Sequence, residues 1–274
     1  MINMNIISQI LYNKSKKGKC ALIPFITAGY PNLDITIKAL YILDNQGADI
    51  IELGIPYADA LADGPIIQNS SKVALKQGIY IDQILEILKQ VNLKLKSPIV
   101  IFSYYNPILV RGLDKFVMEI AFSGAKGLII PDLPLEETDY LISICRYYNL
   151  ELILFISPTS SYERISFILS KSPGCLYLVS NTGVTGMRNS INNKLNDLSD
   201  YIKSKTDKLL MLGFGISNTE QAAEVSQWNI DGIVMGSAFV NILSNQDLNN
   251  VDLINNLGYF CKDIKMSISC TNNI

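Results

Sequence analysis

The chain has 274 residues, of which 49% are hydrophobic and 18% are charged, and its formal net charge at pH 7 is −2. This composition indicates a folded protein with a large core, and the nearly balanced charge gives no electrostatic reason to expect a nucleic-acid partner. No run reaches the roughly 18 consecutive apolar residues of a membrane-spanning helix, so we expect no membrane segment.

The start of the chain lacks the residue order of a secretory signal peptide, because its lysines follow the apolar residues instead of preceding them. Isoleucine, asparagine and lysine are abundant, which is compatible with the AT-rich coding of a bacterium or a plastid genome. We therefore expect a cytoplasmic protein, or a protein of the plastid stroma if the gene is plastid-encoded.

Histidine is absent from the sequence, which limits the chemistry of any active site that works near neutral pH. Histidine-based catalytic triads are excluded, so a general acid or base must be Asp, Glu, Lys, Tyr or Cys. The five cysteines are odd in number and show no CxxC spacing. Free thiols are therefore favoured over a disulfide framework or a zinc site.

Eight short apolar runs alternate with segments of helical character. The runs cover residues 21–26, 49–53, 98–102, 127–130, 150–156, 175–179, 209–212 and 231–235. Continuous apolar runs of this length are typical of parallel strands that are buried on both faces. They predict one domain over residues 1–274, an α/β fold of the (β/α)8 TIM barrel type with extra short N-terminal and loop helices. A doubly wound open sheet is the structural alternative.

Helix signals lie between these runs. Residues 81–88 carry an apolar stripe with helical spacing, and residues 134–137 place two acids in a first helical turn. Ser160 and Ser217 each precede a glutamate by three residues, which is the spacing of a capping box. We therefore predict that these two serines are helix N-caps.

In a (β/α)8 barrel the active site lies at the C-terminal ends of the strands. Glu52 is near the end of the second run among apolar neighbours, where desolvation would raise its pKa into a range useful for acid–base catalysis. The alternative is a carboxylate that is solvated or paired with a lysine. Asp59 and Asp63 follow in the next loop, and their spacing does not choose between them.

Glycine-containing turns follow the last three runs, where barrels commonly bind phosphate groups. Gly186 follows the sixth run, Gly215 follows the seventh, and Gly236 and Ser237 follow the eighth. Backbone N–H groups in such turns and at helix N-termini approach anions closely. We predict that these amides hold a phosphate monoester, the alternative being that the glycines only turn the chain.

Metal and lysine chemistry are both disfavoured by the sequence. Asp132, Glu136 and Glu137 could bind a hard cation, but no further ligand with motif spacing is visible, so helix capping is the preferred interpretation. None of the eight apolar runs contains a lysine, which argues against a Schiff-base aldolase. We predict no metal site.

Seven segments, taken in order, resemble one protein family. They are FITAGYP at 25–31, IELGIPYADALADGP at 51–65, YYNP at 104–107, PDLP at 131–134, SNTGVTG at 180–186, GFGI at 213–216 and GSA at 236–238. Through these segments the chain resembles the α subunit of tryptophan synthase over nearly all of residues 20–240. That family is a (β/α)8 barrel that cleaves indole-3-glycerol phosphate to indole and glyceraldehyde 3-phosphate.

The resemblance implies a role for each residue that matches a family motif. Glu52 matches the catalytic glutamate and Asp63 the catalytic aspartate. Positions near the indole pocket are matched by Phe25, Tyr104, Tyr177 and Phe214. The phosphate site is matched by Gly186, Gly215, Gly236 and Ser237, and Thr185 matches a loop threonine that meets the aspartate when the site closes. Positions that contact the partner subunit are matched by Pro56, Asp59, Asn106 and Pro134.

The family also implies an assembly, an α2β2 heterotetramer in which indole passes to a β subunit for L-tryptophan synthesis. Pyridoxal phosphate is then expected only in the β subunit, and no cofactor in this chain. Two other functions stay open from the residues alone. One is another phosphate-binding barrel, such as a sugar-phosphate isomerase or epimerase, and the other is a non-catalytic subunit that activates a β partner.

Overall fold

The computed structural model describes residues 4–180, 188–213, 215–245 and 247–269, leaving aside the side chains of 188–193. Its eight strands form a closed parallel barrel in chain order, with β8 paired to β1. They are β1 Ala21–Thr27, β2 Ile51–Gly54, β3 Ile99–Phe102, β4 Gly127–Ile129, β5 Glu151–Ile156, β6 Leu176–Val179, β7 Leu210–Gly213 and β8 Gly232–Met235. This confirms the predicted barrel, because an open sheet would leave two strand edges unpaired.

Twelve α-helices in the described part of the chain surround the strands. They are α1 Ile6–Ser15, α2 Leu33–Asn45, α3 Pro65–Lys76, α4 Ile81–Val91, α5 Tyr105–Arg111, α6 Leu113–Phe122, α7 Thr138–Tyr147, α8 Tyr162–Lys171, α9 Arg188–Lys205, α10 Thr219–Val225, α11 Ser237–Leu243 and α12 Asn250–Ser267. Helix α1 precedes the barrel, and α3, α5 and α11 are additional to the one helix per strand, as predicted. None of the described helices combines the length and apolar character that crossing a membrane requires.

The predicted helix starts at Ser160 and Ser217 are each wrong by one residue. The N-caps are Ser161 for α8 and Asn218 for α10, and each side-chain oxygen accepts a backbone N–H three residues later. The hydroxyl of Ser160 instead accepts the backbone N–H of Ser157 at 3.4 Å, which closes the preceding turn. A local turn therefore competes for the serine that the spacing assigned to the helix.

At the N-terminal end of the barrel, Glu151 is buried among hydrogen-bond donors. It is the first residue of β5 and is 3% exposed. Its carboxylate accepts the hydroxyl proton of Ser8 at 2.5 Å and the backbone N–H of Cys175 at 2.6 Å. Because Ser8 belongs to α1 and Cys175 directly precedes β6, this carboxylate joins the N-terminal helix to two strands.

Two aspartates near strand starts also have hydrogen-bonding partners: Asp49, which is partly buried, lies two residues before β2, and Asp231, which is buried, directly precedes β8. Asp49 accepts the backbone N–H of the second residue of β1 at 2.8 Å and pairs with the ammonium groups of Lys14 and Lys265. Asp231 accepts the backbone N–H of the first residue of β7 at 2.7 Å and pairs with Lys203 at 2.6 Å. The buried acids at this end therefore have the donors that burial requires.

Candidate active site

Glu52 lies inside the barrel, near the C-terminal end of β2. It pairs in register with Phe25 of β1, and it shares a strand face with Gly54, where an added Cβ would lie 2.5 Å from the Phe25 ring. Its side chain is 2% exposed, and its Oε2 atom has no hydrogen-bond partner among the described residues. This is the buried, apolar setting that its sequence neighbours predicted.

Burial raises the pKa of Glu52 to about 8, with a further contribution from the nearby charge of Asp63. The carboxyl is therefore protonated at neutral pH and ionises readily just above it. An unpartnered buried carboxyl destabilises a fold, and carboxyls of raised pKa serve as general acids and bases in active sites. The arrangement thus equips Glu52 to give up a proton and take one back.

Asp63 lies in the loop between β2 and α3, close to Glu52. Its Oδ2 atom accepts the hydroxyl proton of Tyr104 at 2.9 Å, and the same hydroxyl accepts the backbone N–H of Ala62 at 3.0 Å. Burial raises the pKa of Asp63 to about 6, against the lowering effect of the Tyr104 hydrogen bond. Asp63 is therefore largely ionised at neutral pH while Glu52 is largely protonated.

The loop that carries Asp63 is also held from the side of α3. The side-chain amide of Gln68 donates to the backbone carbonyls of Ala60 and Asp63, each at 3.0 Å. Asp59, in the same loop, is exposed to solvent. The structure therefore separates the two loop acids that spacing alone could not, because Asp63 faces Tyr104 and Asp59 does not.

Aromatic side chains form a wall around the two acids. Three of its residues were predicted and two were not; they are Phe25, Tyr104 and Tyr177, and Phe102 and Phe155, respectively. Phe102 meets Phe25 edge-on, with ring centroids 5.6 Å apart, and meets Tyr104 edge-on at 6.0 Å. Phe155 lies 4.8 Å from Tyr177. The available signal for Phe102 and Phe155 was their position at the C-terminal ends of the third and fifth apolar runs.

Among the predicted phosphate-binding residues that the structure describes, Gly236 lies beside this wall. Gly236 precedes α11, Ser237 is the first residue of that helix, and a Cβ on Gly236 would touch the Phe25 ring. Gly215 has a φ of +63°, a conformation that favours glycine. The remaining predictions for substrate contacts, Thr185, Gly186 and Phe214, lie outside the described residues.

A groove with a volume of about 660 Å³ lies outside the loop after β2. Pro56, Tyr57, Asn106 and Arg111 are among the residues that line it. Two of the predicted partner contacts, Pro56 and Asn106, therefore share one surface feature, although Pro56 is itself buried. The other two, Asp59 and Pro134, are exposed and do not line the groove.

Of the three acids that could have formed a cation site, Asp132 caps a helix as expected, whereas Glu137 precedes α7 without a side-chain cap bond. Asp132 accepts the backbone N–H of Tyr105 at the start of α5 at 2.8 Å, and Glu136 pairs with Arg164 at 2.7 Å. Across the described ranges, no group of three or more Cys, Asp and Glu side chains is arranged to hold a metal ion. The four described cysteines are buried free thiols, and Cys270 lies outside the description.

Comparisons with known proteins agree with this geometry. Residues 11–269 match the family model of the tryptophan synthase alpha chain. The alpha chain of Gracilaria tenuistipitata var. liui is 59% identical over 271 residues, which are 99% of this chain and 100% of the relative. The alpha chain of Synechococcus elongatus is 47% identical over 265 residues, 97% of each chain.

The fold is similar to solved structures of the same family. The crystal structure of tryptophan synthase subunit alpha from Legionella pneumophila str. Paris superposes with a TM-score of 0.88 and 32% identity, covering 98% of this chain and 100% of that one. Tryptophan synthase from M. tuberculosis in an open form superposes with a TM-score of 0.86 and 26% identity, covering 97% and 99%. The chain belongs to the tryptophan synthase alpha chain family.

Proposed function

We propose that Glu52 and Asp63 are the catalytic residues of this chain. As a member of its family the chain is a carbon–carbon lyase that cleaves indole-3-glycerol phosphate to indole and glyceraldehyde 3-phosphate. The observation that carries the assignment is the unpartnered, protonated Glu52 carboxyl, buried beside a second acid within an aromatic wall. A flat apolar ring fits such a wall, and proton transfer to that ring needs such a carboxyl.

The proton steps follow from the two protonation states. The protonated Glu52 carboxyl gives its proton to C3 of the indole ring, which leaves a cation centred on the ring nitrogen. The Glu52 carboxylate then takes the proton of the glycerol hydroxyl next to the scissile bond. As the carbon–carbon bond breaks, its electron pair returns to the ring and the hydroxyl carbon becomes the aldehyde. Glu52 ends the cycle protonated, so one residue serves as acid and then as base.

Asp63 has the complementary task in this proposal. A fixed negative charge at the ring N–H stabilises the cation that develops there, and it is most effective in a site that excludes water. Asp63 is suited to this because it is ionised at neutral pH and is held in place through Tyr104. The ring itself packs against Phe25, Tyr104 and Tyr177, together with Phe102 and Phe155.

We propose that the phosphate group of the substrate lies beyond this wall, on the side of α11. The described donors for it include the backbone N–H groups of Gly236 and Ser237, because the first N–H groups of a helix have no partner within the helix. Gly215 adds a backbone N–H from the turn after β7. Gly186, Thr185 and Phe214 stay predictions from the family motif, for the phosphate, for loop closure and for the ring pocket respectively.

The chain pairs with a β subunit, since members of the family form the α2β2 tryptophan synthase complex. In this family the alpha chain carries no cofactor, and pyridoxal phosphate belongs to the β subunit. We propose that the contact includes the groove lined by Pro56 and Asn106, with Asp59 and Pro134 at its periphery. A groove of this size beside the active-site loop suits a partner that receives the indole.

For the compartment, we propose the plastid stroma, with the bacterial-type cytoplasm as the alternative. Two relatives at 59% identity come from the red algae Gracilaria tenuistipitata var. liui and Antithamnion sp., and cyanobacterial relatives follow at up to 47%. Immunoblots of isolated plastids against the remaining cell fraction test this. Detection only outside the plastids would contradict it.

The experiment for the reaction is indole release by the purified chain, measured with and without a β subunit. We expect indole and glyceraldehyde 3-phosphate in equal amounts from indole-3-glycerol phosphate. A sugar phosphate that lacks the indole ring serves as the control substrate, which should stay unchanged. Isomerisation of that sugar phosphate without any indole release would instead favour an isomerase or epimerase.

A further inference from the structure

The ring of Tyr57 lies against Tyr104, the residue whose hydroxyl contacts Asp63. The two ring centroids are 5.1 Å apart, and 31° separates the ring planes. On another side the Tyr104 ring meets Phe102 edge-on, and only 3% of Tyr104 is exposed. A ring confined by two other rings cannot leave its rotamer without displacing one of them, so the direction of the Tyr104 hydroxyl depends on Tyr57.

Tyr57 is held in turn by a hydrogen bond from α5. The side-chain amide of Asn106 donates to the Tyr57 hydroxyl at 3.3 Å. The loop after β2 is therefore attached to the start of α5 at two points. Tyr57 makes the attachment near the beginning of the loop, and Ala62 and Asp63 make it near the end, through Tyr104.

We propose that Tyr57 is a positioning residue of the active site, which fixes the Tyr104 hydroxyl and thereby the orientation of the Asp63 carboxylate. The inference rests on the catalytic role proposed for Asp63. It also assigns a use to the Asn106 amide, which lines the exposed groove and holds Tyr57 from outside. The side chains of Tyr57 and Tyr104 thus connect Asn106 at the surface with Asp63 in the active site.

The ionisation of Asp63 reports on this arrangement. The hydrogen bond from Tyr104 lowers the pKa of Asp63, whereas burial raises it. The other titratable groups that sense the Asp63 charge among the described residues are Glu52 of β2 and Tyr177 of β6. A misdirected Tyr104 hydroxyl would therefore raise the pKa of Asp63 and move the acidic limb of the rate profile to higher pH.

The test is the pH dependence of indole release, from pH 5 to 9, by the full-length Tyr57→Phe and Tyr57→Leu variants. Tyr57→Phe loses the Asn106 bond and keeps the ring, so we expect kcat to fall about threefold, in line with one hydrogen bond. Tyr57→Leu also loses the stacked ring, and we expect a fall of roughly tenfold. In both variants we expect the acidic limb of the pH profile to move to higher pH. KM should stay within about twofold, because Tyr57 itself does not contact the substrate.

Asn106→Ala should reproduce Tyr57→Phe, and the double variant should be no slower than either single one, since both remove the same bond. The matched control is Tyr105→Phe, one residue further along, whose hydroxyl enters no hydrogen bond within the described part of the chain. We expect it to behave as the wild type. Thermal unfolding curves recorded beside the kinetics show whether each variant is folded. If Tyr57→Leu is not folded, Tyr57→Phe, which loses a single oxygen atom, is sufficient for the test.

A Tyr57→Phe variant with wild-type kcat and acidic limb would overturn the inference and leave the proposed function intact. An equal change in Tyr105→Phe would also overturn it, because the effect would then not depend on the Tyr57 contact. If the wild-type chain itself released no indole, the catalytic assignments and this inference would fail together.

Discussion

The two ends of the barrel bury a glutamate to almost the same extent, with 2% exposure for Glu52 and 3% for Glu151. At the N-terminal end, Glu151 accepts hydrogen bonds from Ser8 and Cys175. At the C-terminal end, Glu52 has an oxygen with no partner among the described residues, and its pKa rises to about 8. A glutamate is therefore a structural anchor at one end and the proposed proton carrier at the other.

The difference shows that burial alone does not identify a catalytic acid. At the N-terminal end, Asp231 is also buried and Asp49 is partly buried, and each combines a backbone N–H with a lysine partner. Buried acids with donors stabilise a fold, whereas an acid without them costs stability and gains reactivity. Substitutions of acids at both ends of the barrel test whether acids with donors act on stability and acids without donors act on catalysis.

The largest effect should come from Glu52→Gln, which removes the proposed proton carrier and keeps the shape of the side chain. We expect indole formation to fall by about three orders of magnitude or more, because the variant lacks both the general acid and the general base. Binding of indole-3-glycerol phosphate, measured by equilibrium titration, should be retained. Turnover near that of the wild type would show that the assignment of Glu52 is wrong.

Glu151→Ala should instead act on stability. We expect the free energy of unfolding in urea to fall by about 3 kcal/mol, because donors on α1 and before β6 lose their acceptor. Below the unfolding transition, kcat should stay within about twofold of the wild type. Glu86→Ala, an exposed substitution on α4, is the control and should change stability by less than about 0.5 kcal/mol. A loss of catalysis in Glu151→Ala without a loss of stability would contradict the purely structural role of Glu151.

The next effect separates the two loop acids at the catalytic end. Asp63→Asn should lower indole release by roughly 100-fold, since the ring cation loses its fixed negative partner. Asp59→Asn should leave the intrinsic lyase rate within about twofold and act mainly on coupling to the β subunit. Initial rates with and without the β subunit measure both. Equal losses of intrinsic activity would remove the distinction between Asp63 and Asp59.

A smaller effect is the pH dependence of stability in Glu52→Gln. In the wild type the pKa of this carboxyl is higher in the folded than in the unfolded state, so the folded chain loses stability as pH rises from about 4.5 to 8. Glutamine does not ionise and avoids this loss. We expect the variant to gain about 2 kcal/mol relative to the wild type between pH 6 and pH 7.5 in urea unfolding. A constant difference across this range would argue against a raised pKa.

Much of the barrel could be predicted because its strands are buried on both faces, so eight apolar runs are visible in the sequence. The two predicted N-caps were displaced by one residue because other groups compete for the serine hydroxyls. The preceding turn bonds to Ser160, and the side chain of Gln221 in α10 bonds to Ser217, and spacing does not record either contact. Glu151 was not singled out, since a strand-end acid with buried donors looks in sequence like one in solvent.

At the candidate site, the setting of Glu52 was predictable from its apolar neighbours, but the separation of Asp63 from Asp59 was not. That separation depends on the Tyr104 hydroxyl, which comes from another strand end and is brought close only by barrel closure. Phe102 and Phe155 were missed for a different reason, because an aromatic residue within an apolar run is first expected to be part of the core.

The most direct test of the account is a 13C NMR titration of the Glu52 carboxyl in the folded chain, assigned through the signal that disappears in Glu52→Gln. We expect a pKa of about 8 for this carboxyl, raised by burial and by the charge of Asp63. A pKa near the ordinary value of about 4.3 for glutamate would contradict it, because Glu52 would then hold no proton to deliver at neutral pH.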